Sequence, residues 1–151
     1  MMTACQAMPL ASPWHQELEA ILQCLEDAPL ECDGMTYALS FVLSRAGIKH
    51  QCKMGYVRDT QTGYCVTPHL WIELADGWFV DFRLRMWLGD DDRIPHGVFS
   101  AQDAKHFEYQ GQPKGRANTI SEQVLDIMTE GKLSHVKVPD QFVKENPNVC
   151  V

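Results

Sequence analysis

Apolar residues along the chain switch between two periods. Leu18, Ile21, Leu22 and Leu25 recur at helical spacing and make one apolar stripe. Ser12-Pro13 stands just before them: Ser caps free amides, and Pro fits the first helical position. Asp27-Ala28-Pro29 closes this first helix. A second helix is expected from Cys32-Asp33-Gly34 to about Ala46. There Met35, Ala38, Leu39, Val42, Leu43 and Ala46 cover much of the circumference, the signature of a central helix. Gly47 supplies its C-terminal stop.

From residue 50 the period shortens. Cys52, Met54 and Tyr56 alternate in a strand from His50 to about Val57, followed by a polar turn from Arg58 to Gly63. A second strand is expected from Cys65 to Leu74. After Ala75-Asp76-Gly77 a third runs from Trp78 to about Met86. Gly89 to Arg93 reads as an acidic turn, and Pro95 to Tyr109 as loops with one strand. Thr119 to Glu130 reads as a helix, with Thr119 and Glu122 in capping-box positions and Gly131 as its stop. Leu133 to Val138 reads as a final edge strand. Helices followed by several antiparallel strands and a further helix indicate an α+β fold. The 151 residues suit one domain, with 1–11 as a loose lead-in and 139–151 as a peripheral tail.

The Ala75-Asp76-Gly77 loop sets a register. A three-residue loop with Gly last suits a type I turn closed by a left-handed Gly bulge, which pairs Leu74 with Trp78. Trp71 then faces Asp81, and His69 and Asp81 become diagonal neighbours on one face, with Cα atoms about 7–8 Å apart. A two-residue turn would put them on opposite faces. In the favoured register Leu70, Ile72, Leu74, Val80, Phe82 and Leu84 share the even-numbered face, while the odd-numbered face is more polar. A sheet covered on both sides, with the first and last helices behind it, would reconcile a helix packed on the odd face with these aliphatic residues.

Cys32 adds a nucleophile to this pair. It opens the central helix, where unpaired amides and the helix dipole favour an anion, and the thiolate is the reactive form of cysteine. A histidine within reach stabilises the thiolate and later acts as general acid, and an aspartate on the other ring nitrogen fixes the tautomer. The Cys32 amide is one natural oxyanion donor. A second would come from Gln23 or Trp14 on the first helix, between which spacing does not choose.

Charge and composition narrow the partners. The formal net charge is −7, with 13 basic against 20 acidic residues and no clustered Lys or Arg, which argues against nucleic acid. The apolar stretch Met35 to Ile48 is too short and interrupted to span a bilayer. The N-terminus does not read as a signal peptide, so the expected location is cytoplasmic, although dedicated secretion of an effector needs no such signal. The six cysteines, Cys5, Cys24, Cys32, Cys52, Cys65 and Cys150, are then expected as free thiols. His50, Cys52, Cys65 and His69 lack the close paired spacings of a zinc site, and Asp90-Asp91-Asp92 lacks the spaced ligands of a calcium loop. The chemistry inferred here uses no metal or organic cofactor. Nothing in the sequence specifies an oligomeric state.

Three segments resemble the transglutaminase-like cysteine proteins. Glu31-Cys32-Asp33-Gly34-Met35-Thr36-Tyr37-Ala38-Leu39 is similar to their nucleophile segment, ending here in Leu43-Ser44-Arg45-Ala46-Gly47-Ile48. Pro68-His69-Leu70-Trp71-Ile72-Glu73 resembles their His-x-Trp-x-Glu strand, and Asp76-Gly77-Trp78-Phe79-Val80-Asp81 their Gly-Trp-x-x-x-Asp strand. The resemblance implies a papain-like core, with the Cys helix packed on an antiparallel sheet carrying His and Asp. It implies acyl transfer on amide or thioester substrates through a covalent thioester, with Cys32, His69 and Asp81 as the triad. Members include peptidases, transglutaminases, protein deamidases and peptide N-glycanases. Acidic Glu31 before the Cys departs from the small residue common there, and the chain lacks the extra β domains of animal transglutaminases.

Each residue has a plainer reading. Cys32 alone is a small buried hydrophobe, His69 a satisfied strand histidine and Asp81 a strand-end acid. Trp71 and Trp78 read as core or pocket wall, with Trp71 also a candidate for the substrate pocket. Arg83 and Arg85 are expected to pair with Glu73 and the Asp90–Asp92 run. Order, spacing and flanking Trp residues together favour a cysteine hydrolase, foremost a peptidase, acting on a peptide or protein. Glutamine deamidation or transglutamination would use the same thioester, and a non-catalytic binding module would keep only the fold.

Overall fold

The stripe of Leu18, Leu22 and Leu25 is fully buried along helix α1 (Pro13–Leu22) and the 3-10 turn Gln23–Leu25 that continues it. The computed structural model describes residues 13–115, 120–140 and 142, so the expected Ser12 and Thr119 caps, the lead-in and most of the tail lie outside the described residues. Helix α2 (Cys32–Arg45) is the central helix, burying Met35, Ala38, Leu39, Val42 and Leu43. It ends in a Schellman arrangement: Gly47 sits at φ 77°, its amide donates to the Ser44 carbonyl, and the Ile48 amide donates to that of Leu43. Its first turn has no side-chain cap from Glu31. A missing cap costs about 1 kcal/mol, whereas each buried Leu or Met side chain contributes roughly 1.5–3 kcal/mol. Burial therefore holds the helix, and its amide end is left open at Cys32.

Five strands, β1 (His50–Asp59), β2 (Cys65–Leu74), β3 (Phe79–Asp81), β4 (Gly97–Phe99) and β5 (Phe107–Pro113), form one antiparallel sheet in the order β4-β3-β2-β1-β5. Together with α1, α2, α3 (Leu84–Leu88) and α4 (Glu122–Met128) they make a mixed α+β fold. The β2–β3 loop takes the expected form. The Gly77 amide donates to Leu74 O at 2.9 Å, the Leu74 amide donates to Trp78 O at 2.7 Å, and Gly77 has φ 90°. Ile72 then pairs with Val80 and Glu73 with Phe79, the register that puts His69 and Asp81 on one face.

Several elements differ from expectation. The third strand stops at Asp81 instead of Met86, because the chain turns into α3 and sends Leu84 into a different apolar cluster from Phe82. Strand β1 continues to Asp59 through a bulge between Gly55 and Val57, which buries Val57 and leaves Met54 exposed. Two strands, not one, lie between residues 95 and 113. Helix α4 is capped by Ser121, whose side chain accepts from the Val124 amide. Leu133–His135 is a 3-10 turn rather than an edge strand, held by the Thr129 hydroxyl accepting from the Leu133 amide.

The two sheet faces are covered in different ways. Ile72, Leu74, Val80 and Phe82 meet residues of α1, α2 and α4 in the larger cluster, so all three helices share the even-numbered face. The first and last helices thus lie on the aliphatic face as expected, and the correction concerns the Cys helix: α2 does not pack on the odd-numbered face, because Met35, Ala38, Leu39, Val42 and Leu43 join this same aliphatic cluster. That face closes on itself: Trp71, Phe79 and Tyr109 pack with Val57, Leu84, Ile94 and Phe107. The Tyr109 ring lies 5.1 Å from that of Phe79 and 5.0 Å from that of Trp71, so β5 curls back over β2 and β3.

Candidate active site

The β2–β3 hairpin brings His69 and Asp81 together. His69 Nε2 and Asp81 Oδ2 are 2.7 Å apart, with both side chains buried. The carboxylate has two further donors: the Arg83 amide on Oδ1 at 2.9 Å and the Tyr109 hydroxyl on Oδ2 at 2.9 Å. Burial alone would strip the proton from His69. The charge and hydrogen bond of Asp81, and then the Cys32 side chain, outweigh it and raise the His69 pKa to about 10. The imidazole is thus a cation at neutral pH, donating from Nε2 to Asp81. Tyr109 is pushed well above its ordinary pKa by burial first and by Asp81 second, so it stays a protonated donor.

Cys32 stands at the first position of α2, partly exposed, as a free thiol. Its side chain lies close enough to His69 to favour the imidazolium, and His69 Nδ1 is buried with no other partner among the described residues. Of the two ring nitrogens, Nδ1 is the one that Asp81 leaves open, and it is the natural site for exchange with the thiol. The ring is backed by Trp71, which is buried at a centroid distance of 6.1 Å and an interplanar angle of 23°. Trp71 is therefore a wall behind the histidine.

Arg83 fixes the segment that presents Cys32. Its guanidinium is buried and donates to the carbonyls of Glu26, Ala28 and Leu30, and to Phe82 O. The expected pairing of Arg83 with Glu73 or the Asp90–Asp92 run does not occur, since the turn before α2 closes over the guanidinium and supplies acceptors. Lys53 takes Glu73 instead, at 3.5 Å. Arg85 donates to Ile94 O at 3.0 Å and reaches Asp90 only at 3.9 Å.

Cys32 opens onto a groove of about 580 Å³ between the start of α2, the first half of β2 and α3. Glu31 and Asp33 flank the thiol in sequence, and Tyr64, Trp87 and Leu88 are among the other lining residues. Trp14 and Gln23, the expected oxyanion donors, do not line it. Trp14 packs on His15 and on Phe142, and Gln23 is exposed on the 3-10 turn after α1. Neither is therefore placed at the groove beside Cys32. Sequence reasoning missed Tyr109 and the role of Arg83. Neither has a local signal, because one reaches Asp81 from β5 and the other binds main-chain carbonyls.

No group of three or more His, Cys, Asp or Glu among the described residues is placed to hold a metal ion. His50 Nδ1 lies 2.8 Å from Ile48 O and its Nε2 2.7 Å from Ser40 Oγ. Among the described residues no helix is long and apolar enough to cross a membrane. Comparison with known proteins finds no matching family model, no matching curated protein and no matching solved structure.

Proposed function

We propose that this chain is a cysteine-dependent amide hydrolase, a peptidase of the transglutaminase-like kind with a papain-like core, acting on a peptide or protein. The observation that carries the reading is His69: fully buried, bonded to Asp81 at 2.7 Å through one nitrogen, with the other open beside Cys32. A structural histidine in a core is normally satisfied at both nitrogens or kept neutral. This one is held charged next to a thiol at a helix N-terminus, where both charge and dipole favour the thiolate.

In this reading the Cys32 thiolate attacks the substrate carbonyl, and the Cys32 amide stabilises the oxyanion. The C–N bond breaks as His69 gives its proton to the leaving amine, and a thioester remains on Cys32. His69, now neutral, takes a proton from water. The hydroxide attacks the thioester, the C–S bond breaks and the acid leaves. Asp81 keeps the ring oriented and balances its charge in both steps.

Alkylation by iodoacetamide, read site by site by mass spectrometry, tests the proposal. Cys24 and Cys65 are exposed and serve as internal references. At about pH 6 Cys32 outpaces both despite its lower exposure, and His69→Ala removes that advantage. Cys32 reacting no faster than Cys24 and Cys65 overturns the nucleophile assignment and favours a binding module. With a protein substrate in hand, fragments mean proteolysis, a small mass gain on an intact chain means deamidation, and an amine adduct means transglutamination.

A further inference from the structure

The groove outside the thiol has a chemistry of its own. Its lining contains two carboxylates, Glu31 and Asp33, and no Lys, Arg or His. Both carboxylates are exposed, and they stand on either side of Cys32 in sequence. Neither is neutralised by an ion pair among the described residues. Asp33 Oδ1 accepts from the Gly34 amide at 2.7 Å, which orients the carboxylate. In the same lining, Trp87 is 51% exposed and Tyr64 70% exposed, two of the largest apolar surfaces left open among the described residues. Aromatic side chains at such exposure, in a groove that also contains Cys32, mark a place where a ligand completes the surface.

We infer that this groove selects basic peptides, binding an aliphatic side chain against Trp87, Tyr64 and Leu88 with an adjacent Lys or Arg on Glu31 and Asp33. The inference rests on the proposed function for the identity of the reacting bond, but the recognition itself does not need the chemistry. The carboxylates favour a cationic residue and repel an acidic one, which is discrimination by charge as much as by attraction. The aromatic wall supplies contact area at low entropic cost, and Trp87 can also take a cation on its ring face. A like-charged peptide would meet both the local pair and a chain of net charge −7.

Equilibrium binding and labelling separate this inference from the reading it extends. Capped peptides with Leu-Lys, Leu-Glu and Ser-Lys cores are titrated against the full chain carrying Cys32→Ala and followed by tryptophan fluorescence. The Leu-Lys peptide binds at least about tenfold more tightly than Leu-Glu at low ionic strength, and the gap narrows as salt is raised. Leu-Lys also exceeds Ser-Lys. Glu31→Gln with Asp33→Asn collapses the Lys-over-Glu ratio, and Trp87→Ala collapses the Leu-over-Ser ratio; all three side chains are exposed, so these variants fold. Equal binding of Leu-Lys and Leu-Glu, or of Leu-Lys and Ser-Lys, overturns the inference even if Cys32 proves reactive. Selective binding with an inert Cys32 upholds it and removes the hydrolase reading alone.

Discussion

Tyr109 donates its hydroxyl to Asp81 Oδ2 at 2.9 Å from a strand three places away in the sheet. The same oxygen lies 2.7 Å from His69 Nε2, so one carboxylate atom ties β2, β3 and β5 together. The link exists because the sheet curls, bringing the Tyr109 ring to 5.0 Å from Trp71.

Tyr109→Phe removes this donor and keeps the ring. A hydrogen bond to a charged acceptor is worth about 1.5–3 kcal/mol, so stability measured by urea unfolding falls by about that amount. His69 retains its bond to Asp81, and His69-dependent alkylation of Cys32 persists. Loss of that alkylation would show that Tyr109 contributes more than the placement of Asp81.

Asp81→Asn acts on charge. Burial lowers the His69 pKa, and the anionic carboxylate is what overcomes it. With an amide there the ring is neutral near pH 7, and the tautomer is no longer imposed. Turnover on a substrate drops by about three to four orders of magnitude, as expected when the orienting acid of such a constellation is neutralised. Cys32 alkylation at about pH 6 falls to the level of His69→Ala. Normal alkylation in Asp81→Asn would mean that His69 is not the source of thiol activation.

How much of this was legible depended on range along the chain. The hairpin register followed from Ala75-Asp76-Gly77, because a bulged turn is decided by local backbone conformation, and with it came the His69–Asp81 pair. Cys32 at a helix start followed from the apolar pattern of Met35 to Leu43 and the Gly47 stop. The end of β3 did not follow. Phe82 and Leu84 alternate as a strand would, yet they enter separate clusters, and only the tertiary curl decides that. Tyr109 and Arg83 were hidden for the same reason: their partners are 28 residues away in one case and up to 57 in the other.

His69 also makes stability depend on pH. Its folded pKa of about 10 lies above the ordinary 6.5, so the folded state holds the proton more tightly than the unfolded chain does. The resulting stabilisation is complete below about pH 6.5 and is lost as pH rises through about 10. Urea midpoints for the wild type should fall across that window more steeply than those for His69→Gln. Parallel profiles would contradict a buried imidazolium.

Arg83→Met tests the segment before Cys32. The carbonyls of Glu26, Ala28 and Leu30 each lose a charged donor, worth about 1.5–3 kcal/mol apiece, although Ala28 O keeps the Leu30 amide at 2.8 Å. A loss on the order of 3 kcal/mol or more is expected in urea unfolding. Arg83→Lys recovers part of it, since one ammonium cannot span the carbonyls that a planar guanidinium reaches. If Arg83→Met unfolds at the wild-type midpoint, the carbonyl cluster is not what holds this turn.

Gly55→Ala tests the closure of the sheet. A Cβ at Gly55 would stand 1.9 Å from Gln110 O and 2.5 Å from Gly111 Cα, both main-chain atoms of the facing strand β5. No rotamer relieves such a clash, so β5 must move off β1 where Gly55 pairs with Gly111. Tyr109 is two residues from Gly111 and rides on that strand, so its bond to Asp81 is pulled as well. The expected cost is about 1–3 kcal/mol or more, seen as a lower urea midpoint. Near-ultraviolet circular dichroism from the Trp71–Tyr109–Phe79 cluster should weaken while the far-ultraviolet helical signal stays, because α1, α2 and α4 pack on the other face. Gly115→Ala is the matched control, with no atom within 4 Å of its Cβ position, and should leave both signals unchanged. An unaltered aromatic spectrum in Gly55→Ala would mean that β5 does not need this close approach, and that Tyr109 reaches Asp81 without it.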